Sequence, residues 1–288
     1  MAKTANEGFD TFLRRITPSD TERAKAAAHR SGIEAKLEAK FGLYRLFESG
    51  SFRHGTGVSG HSDVDLFASL KSSKPVYGSS ALSAVRDALK ERYPSTYIHV
   101  AKPAVVLDFG AGYERVEVIP AYLLQKVGDH MKYNIPGVTA NWMQSTPEAH
   151  LDYVNESNTM SAKGKAKALA RLIKAWKYYR NVPVSSFYLE MRAASYTRHQ
   201  SSVVYWMDLC LLLEELQQIE LASMNDPTGT TGRIHAYSSE PLKHDALSKL
   251  NTAVIRARKA YDAAAKGNLK TAFEQWDLLF DGHFPAYY

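Results

Sequence analysis

Two aspartates separated by one apolar residue, Asp63 and Asp65, are the side chains in this sequence best suited to bind a divalent cation. The apolar run Val64 to Leu70 predicts a strand, and residues two apart on a strand point to the same side. Both carboxylates would then face one point, where paired negative charges are costly without a cation between them. Because hard oxygen ligands select magnesium or manganese, the spacing predicts a site for one of these ions.

A stretch rich in glycine and serine precedes the aspartates and begins with Gly50 and Ser51. Glycine-rich turns can bring backbone amides and a hydroxyl against phosphate oxygens. Ser51 and Asp63 are close enough along the chain for a phosphate cradle and a metal pair to form one site. Each feature alone is commonplace, since a lone Asp-x-Asp is more often a strand end or a surface turn. Their combination indicates a site where metal and phosphate meet.

The elements that must position these residues divide the chain into two parts. We predict helices over 10–16, 23–40 and 81–92, strands over 44–48 and 64–70, a hairpin of 104–109 with 115–119, and then helices over 161–180, 203–221, 242–266 and 271–279. A capping box of Ser19 and Glu22 opens the second helix, and Pro120 is expected to end the hairpin because it lacks a backbone N–H. We therefore expect an α+β protein, with residues 1–155 forming a mixed-sheet core and residues 156–288 a helical lobe.

Charge and cysteine content limit the classes of function that the sequence is compatible with. Lysine and arginine outnumber aspartate and glutamate by 36 to 30 among 288 residues, a formal charge of +6 that forms no block of like charges. This balance suits a phosphate-bearing partner but is equally found in proteins without a nucleic-acid role. The single cysteine, Cys210, excludes an intramolecular disulfide and a cysteine-rich zinc site. With no signal-peptide-like start and no apolar run near the ~18 residues of a membrane span, we expect a cytoplasmic protein with no membrane partner.

The glycine–serine stretch and the aspartate pair together resemble a known family. Gly50–Ser51, Thr56 and the run from Ser62 to Leu66 are similar to the signature of the DNA polymerase beta superfamily of nucleotidyltransferases, and most similar to that of the CD-NTases. CD-NTases are bacterial relatives of cyclic GMP-AMP synthase and oligoadenylate synthetase that make cyclic oligonucleotide signals in anti-phage defence. The resemblance covers roughly residues 40 to 195. It implies a polymerase-beta-like core, a C-terminal helical lobe and an active site in the cleft between them.

The resemblance also implies a third metal-binding carboxylate on a later strand. Glu117, in the segment Glu117 to Ala121, matches the family's acidic-apolar-apolar-Pro-Ala pattern, with glutamate where aspartate is more usual. Asp108, across the predicted hairpin, is the alternative. With Asp63 and Asp65, this third group would hold two Mg²⁺ ions, for which Mn²⁺ can substitute.

Further along the chain, the resemblance implies residues for the donor nucleotide. In the family, a helix lysine and a later serine contact the triphosphate, and an aromatic residue beside the serine stacks on a base. At the matching positions stand Lys174, Ser186 and Phe187. Without the family context, Lys174 would be interpreted as a solvated helix residue and Phe187 as a core residue.

The implied function is a Mg²⁺-dependent synthase that joins nucleoside triphosphates into a cyclic di- or trinucleotide. Alternatives are a linear oligonucleotide synthetase, an enzyme that nucleotidylates RNA or protein, and an inactive nucleotide-binding module. Expected partners are the nucleoside triphosphates, a regulatory protein and a downstream effector that binds the product. Activation by nucleic acid is not expected, because the chain has one cysteine and no long basic run.

Overall fold

A computed structural model of the chain describes residues 2–112, 114–138, 140–160, 164–230 and 232–288. They form two compact units: Pro18–Asp152 is one, and Met1–Thr17 with Tyr153–Tyr288 is the other. The first contains a large mixed sheet and the second is mainly helical. This confirms the predicted α+β class.

The described residues contain helices along the whole length of the chain. They are α1 Ala5–Ile16, α2 Asp20–Phe41, α3 Gly50–His54, α4 Gly78–Arg92, α5 Pro147–Met160, α6 Ala166–Tyr179, α7 Ser186–Arg198, α8 Tyr205–Gln218, α9 Glu240–Ala265 and α10 Leu269–Leu279. The predicted capping box is present at α2, where Ser19 accepts from the amide of Glu22 and the Glu22 carboxylate accepts from the amide of Ser19. It fixes the start of the helix that flanks the sheet.

The strands of the first unit build one sheet. They are β1 Leu43–Ser49, β2 Val64–Leu70, β3 Tyr97–Ala101, β4 Ala104–Phe109, β5 Glu114–Val127, β6 His130–Pro136 and β7 Trp142–Ser145. Their order is β1-β2-β5-β4-β3, with β6 bonded to β5 and β7 bonded to β6. The pair β2 and β5 is parallel, whereas β1 with β2 and β4 with β5 are antiparallel. The central strands β2 and β5 therefore run side by side from the same end of the sheet.

The two faces of this sheet carry different residues because side chains alternate along each strand. One face packs under α2 and α4, with Leu66 and Val118 fully buried in that core. The opposite face carries a smaller apolar cluster that includes Phe67 and Ile119. Because Asp65 and Glu117 are each two residues before a member of this second cluster, they lie on the face that α2 and α4 do not cover.

The predicted hairpin is confirmed, but Pro120 does not end its second strand. β5 continues to Val127 because it pairs with β2 as far as Ala121 and with β6 from Tyr122 onward. Pro120 is itself the register partner of Ala68 in the parallel ladder, so the proline does not interrupt the strand. Strands β6 and β7 were absent from the prediction.

The second unit is built around an aromatic cluster at its N-terminal helix. Phe12 of α1 lies 4.4 Å from Phe280, and Phe9 lies 5.0 Å from both Trp276 and Phe284, measured between ring centroids. The first residues of the chain therefore belong with the helical unit, whereas the sequence-based division grouped them with the core. None of the described helices has the length and apolar character that crossing a bilayer requires.

The short strands of the second unit form a minor hairpin. They are β8 Met224–Asn225 and β9 Arg233–Ile234, which pair antiparallel.

Candidate active site

Asp65 and Glu117 are direct neighbours across the parallel pair of β2 and β5, where their Cα atoms are register partners. Partners in a ladder point to the same side of the sheet. Asp63 directly precedes the first residue of β2. The structure thus sets Asp65 and Glu117 side by side on one sheet face, with Asp63 at the same end of the strand.

Gly50 lies directly against the second aspartate. A Cβ atom at this position would overlap the Asp65 carboxylate, with Cγ only 2.7 Å away, and the residue has a φ of +60°. Both observations restrict the position to glycine. Ser51 follows in the first turn of α3, and its carbonyl accepts from the amide of Thr56 at 3.0 Å. The predicted phosphate cradle and the predicted metal pair are therefore in contact.

Arg115 spans two of the three carboxylates. Its guanidinium donates to Glu117 Oε1 at 2.7 Å and lies 3.4 Å from Asp63 Oδ2. Partial burial alone would lower the pKa of Arg115, but the hydrogen bond to Glu117 and the negative charge of Asp63 outweigh it and raise the pKa. Arg115 is thus a permanent positive charge held between the acidic side chains, and sequence reasoning did not identify it.

The three carboxylates fit a divalent ion by donor type. All three are hard oxygen donors, which is the ligand chemistry that Mg²⁺ prefers. Within the part of the chain that the structure describes, no three acidic, histidine or cysteine side chains are grouped so that they could hold one ion. The side chains thus fit a divalent ion in donor type, and Asp65 and Glu117 are in register, while the Arg115 guanidinium lies between Asp63 and Glu117.

Asp108, the alternative third carboxylate, lies one strand further from the aspartate pair. Its Cα partner is Arg115 rather than Asp65, and its Oδ2 is 3.6 Å from His99 Nδ1. Since Glu117 is the register neighbour of Asp65, the geometry favours Glu117 over Asp108 as the third ligand.

Lys174 is placed differently from its predicted role. It is fully buried in the helical unit, and its ammonium group lies 3.2 Å from the Glu190 carboxylate of α7. The structure therefore does not bring Lys174 to Ser186. A signal was present in the sequence, because Lys174 stands within the apolar run Leu172 to Trp176, a context that predicts burial.

Lys177, one turn further along α6, is the lysine that contacts Ser186. Its ammonium group donates to Ser186 Oγ at 2.7 Å, and the Tyr178 hydroxyl lies 3.1 Å from the same oxygen. Ser186 is the first residue of α7, where the positive end of the helix dipole favours an anion. Phe187 follows with 37% of its surface exposed. This group could bind a phosphate chain beside an accessible aromatic ring.

Comparison with known proteins identifies the class. Residues 3–158 match the family described as the Second Messenger Oligonucleotide or Dinucleotide Synthetase domain. The match covers more than half of the 288 residues, so the chain belongs to this family of CD-NTases, which are nucleotidyltransferases. The resemblance found in the stretch from Gly50 to Leu66 is thereby confirmed.

Individual relatives agree with this assignment. The chain is 22% identical over 338 aligned positions to a probable cyclic nucleotide synthase of Bacillus cereus strain VD146, covering 100% of this chain and 99% of that protein. CdnC of E. coli MS115-1, solved with ATP, matches with a TM-score of 0.76 at 16% identity over 98% of this chain and 99% of CdnC. Vibrio cholerae DncV, a cyclic AMP-GMP synthase solved with the linear intermediate pppA(3′,5′)pG, matches with a TM-score of 0.76 at 13% identity over 95% of this chain and 93% of DncV. These structures confirm the polymerase-beta-like fold.

Proposed function

We propose that this CD-NTase makes a cyclic di- or trinucleotide second messenger from nucleoside triphosphates, with release of pyrophosphate, in bacterial anti-phage signalling of the CBASS type. The observation that carries the proposal is the register of Asp65 with Glu117, with Gly50 packed on Asp65, in a chain that matches a synthetase family. With this register, acidic metal ligands would lie beside a phosphate cradle.

The chemistry follows from charge and position. When bound, two Mg²⁺ ions, or Mn²⁺ in their place, would neutralise the charge that develops as a ribose hydroxyl displaces pyrophosphate from the donor α-phosphate. Asp63, Asp65 and Glu117 would hold them. The Arg115 guanidinium must then leave Asp63 and Glu117, because it spans the oxygens that would become ligands.

The donor nucleotide needs its own contacts. Gly50 and Ser51 would direct a backbone amide and a hydroxyl to the phosphates. We assign the triphosphate cation to Lys177, with Ser186, since Lys174 is enclosed in the helical core. Phe187, partly exposed, would stack on a base, an interaction that any nucleobase can make.

Solved relatives support the partners that we propose. CdnC has been solved with ATP and also in a complex with HORMA-deltaN, and that complex matches this chain with a TM-score of 0.75 at 16% identity. Nucleoside triphosphates as substrates and a regulatory protein of that kind follow for this chain by analogy. A downstream effector would bind the cyclic product, and we place the enzyme in the cytoplasm with its substrates.

The test is incubation of the full chain with the four nucleoside triphosphates, singly and in pairs, with and without Mg²⁺, followed by mass spectrometry of the products. We expect a cyclic product that requires the metal and no added RNA. Asp63→Asn with Asp65→Asn should lower turnover by at least ~10³-fold. Activity that survives this double substitution would refute the assigned metal site. A linear product, or turnover only with added RNA or protein, would favour the alternative synthetase or modifying enzyme.

A matched pair of substitutions separates the two candidates for the third ligand. Glu117→Gln should lower turnover by roughly 10²-fold or more, whereas Asp108→Asn should change it only a few-fold. The reverse order would assign the role to Asp108.

A further inference from the structure

Arg115 has an acidic neighbour on the side away from β2. Asp108 of β4 is its Cα register partner in the antiparallel ladder of β4 and β5. Residues directly opposed in such a ladder point to the same side, with Cβ atoms about 4.5–5.5 Å apart. The guanidinium itself is turned the other way, 3.4 Å from Asp63 Oδ2 and 2.7 Å from Glu117 Oε1. Arg115 can therefore reach a carboxylate in either direction.

Asp108 does not hold the arginine in this structure. Its Oδ2 lies 3.6 Å from His99 Nδ1, and among the described residues no ion pair joins it to Arg115. Partial burial would lower the pKa of Arg115, but the hydrogen bond to Glu117 and nearby carboxylate charges, that of Asp108 among them, raise it. The Arg115 side chain is 38% exposed, so it can turn towards Asp108 without disturbing the core.

The carboxylate next to Arg115 in the sequence, Glu114, is engaged elsewhere. Because side chains alternate along a strand, Glu114 points to the opposite side of β5. Its oxygens lie there 2.5 Å from Lys25 Nζ and 2.7 Å from His29 Nε2, both on α2. Hydrogen bonds with these two groups hold the pKa of Glu114 below its usual range. Among the carboxylates that act on Arg115, Asp108 is thus the one left outside both the α2 contacts and the preferred set of metal ligands.

We propose that Asp108 is a positioning residue: it receives the Arg115 guanidinium when a divalent ion occupies Asp63 and Glu117. The guanidinium and a metal ion compete for the same carboxylate oxygens, so Arg115 must give up these contacts before the site can be filled. A carboxylate on the far side offsets the cost of leaving the arginine without a partner. This inference rests on the metal site of the proposed function.

The consequence is a defined effect of each residue on metal affinity. The apparent dissociation constant rises as the fraction of molecules with open ligands falls. Arg115 lowers that fraction by occupying Asp63 and Glu117, whereas Asp108 raises it by stabilising the arginine in its other orientation. Asp108 acts only through Arg115, so its influence should disappear when the arginine is removed.

A double-mutant cycle on Mn²⁺ binding tests this dependence. Binding is measured by electron paramagnetic resonance of free Mn²⁺, with the full chain and without nucleotide. Arg115→Gln should tighten binding roughly tenfold, because the competing cation is gone. Asp108→Asn should weaken binding about three- to tenfold in the natural protein but less than about twofold in the Arg115→Gln variant. A direct metal ligand at Asp108 would instead weaken binding equally in both proteins.

Two variants separate this role from a general effect of charge. Asp108→Glu keeps a carboxylate and should restore most of the affinity lost in Asp108→Asn. Glu114→Gln removes a negative charge next to Arg115 but on the opposite side of the strand, and should change the affinity by at most about twofold. Equal weakening in Glu114→Gln and Asp108→Asn would overturn the role of Asp108.

A second arginine variant keeps the test decisive if Arg115→Gln does not fold. Arg115→Lys retains the charge but loses the planar fork that spans two carboxylates, so it should tighten Mn²⁺ binding by about two- to threefold. Asp108→Asn should then weaken binding less in Arg115→Lys than in the natural protein. No tightening in either arginine variant, or an equal effect of Asp108→Asn in every background, would overturn the proposal.

Asp63→Asn with Asp65→Asn identifies the site that is being measured. If Mn²⁺ binding is lost in this variant but Asp108→Asn has the same effect with and without Arg115, the metal site stands and the role of Asp108 fails. If Mn²⁺ binding is unchanged in this variant, or is absent from both the natural protein and the Arg115 variants, the metal site of the proposed function fails together with the inference.

Discussion

The side chains of the candidate site were recognisable by type, but their neighbours were not. The spacing of Asp63 and Asp65 predicted a shared direction, and the Pro-Ala context singled out Glu117. Arg115 has the same parity on β5 as Glu117 and contacts Asp63, a relation that depends on the register of two strands distant in sequence. That register cannot be deduced from the local sequence of either strand.

Gly50 provides a test of the contact between cradle and carboxylate. We predict that Gly50→Ala lowers turnover by at least ~10²-fold, because the new Cβ displaces the Asp65 carboxylate. Gly128→Ala is the control: it has a similar φ of +59° but open space around its Cβ. Both should cost about 1–3 kcal/mol in the free energy of unfolding, measured by urea denaturation, since both place alanine in the left-handed region. Equal losses of activity in the two variants would show that strain alone is responsible.

The two lysines of α6 make a second test. Lys177→Met should lower kcat/KM for the donor nucleotide by roughly 10- to 150-fold, because a charge-assisted contact is lost, while leaving stability nearly unchanged.

Lys174→Met is the matched substitution. It removes the ammonium group that lies 3.2 Å from the buried Glu190 carboxylate and should destabilise the protein by about 3–5 kcal/mol. Steady-state kinetics and chemical denaturation distinguish the two effects. If Lys174→Met reduced nucleotide affinity in a stably folded protein, the assignment of the triphosphate contact to Lys177 would fail.

Helix α2 covers one face of the sheet, and its N-terminal cap also holds a neighbouring loop. Glu22 completes its capping box and also accepts from the Ser59 hydroxyl at 2.9 Å and the Gly60 amide at 3.0 Å. The cap of one helix thereby anchors the loop that leads into Asp63. The capping box was evident from the sequence, but the loop contact was not, because it joins residues separated by 37 and 38 positions.

The pKa of Glu22 gives this anchor a pH dependence. Partial burial alone would raise the pKa, but hydrogen bonds from Ser19, Gly60 and Ser59 outweigh it and lower the pKa. A folded-state pKa below the unfolded value means that the carboxylate stabilises the protein above the unfolded pKa, and that this contribution disappears as pH falls through the folded value. Glu22→Gln should therefore cost about 0.5–1 kcal/mol near pH 7, and the difference from the natural protein should shrink as acid protonates the Glu22 carboxylate.

Thermal and urea denaturation across this pH range provide the measurement. Glu7→Gln is the control variant. It removes the carboxylate of the corresponding capping box, which lies at α1 in the other unit. If the stability difference between Glu22→Gln and the natural protein grew on acidification, the pKa of Glu22 would have to be raised in the folded state rather than lowered.

The protein as a whole consists of two units whose membership does not follow chain order. The first helix joins the last ones because Phe9 and Phe12 complete an aromatic cluster with residues near the C-terminus. The sequence predicted a helix over 10–16. It could not indicate which surface would cover that helix, since the partner lies at the other end of the chain.

Phe12→Ala tests this arrangement. Removing this buried ring should destabilise the helical unit by about 3–5 kcal/mol. Hydrogen exchange read by mass spectrometry should show faster exchange in α6 and α10, with β2 and β5 unchanged. Leu278→Ala, at an exposed position of α10, should leave both regions protected. Faster exchange in β2 and β5 as well would argue against two separable units.

The sequence by itself determined the class of fold, the acidic pair, the glycine beside it and the hairpin that carries the third carboxylate. These depend on local periodicity, on turn chemistry and on motif spacing, which a chain displays without folding. Tertiary structure alone decided that Arg115 lies between Asp63 and Glu117 and that Lys177 rather than Lys174 meets Ser186. These contacts join different strands or different helices, and their partners are set by strand register and helix rotation and not by any local pattern.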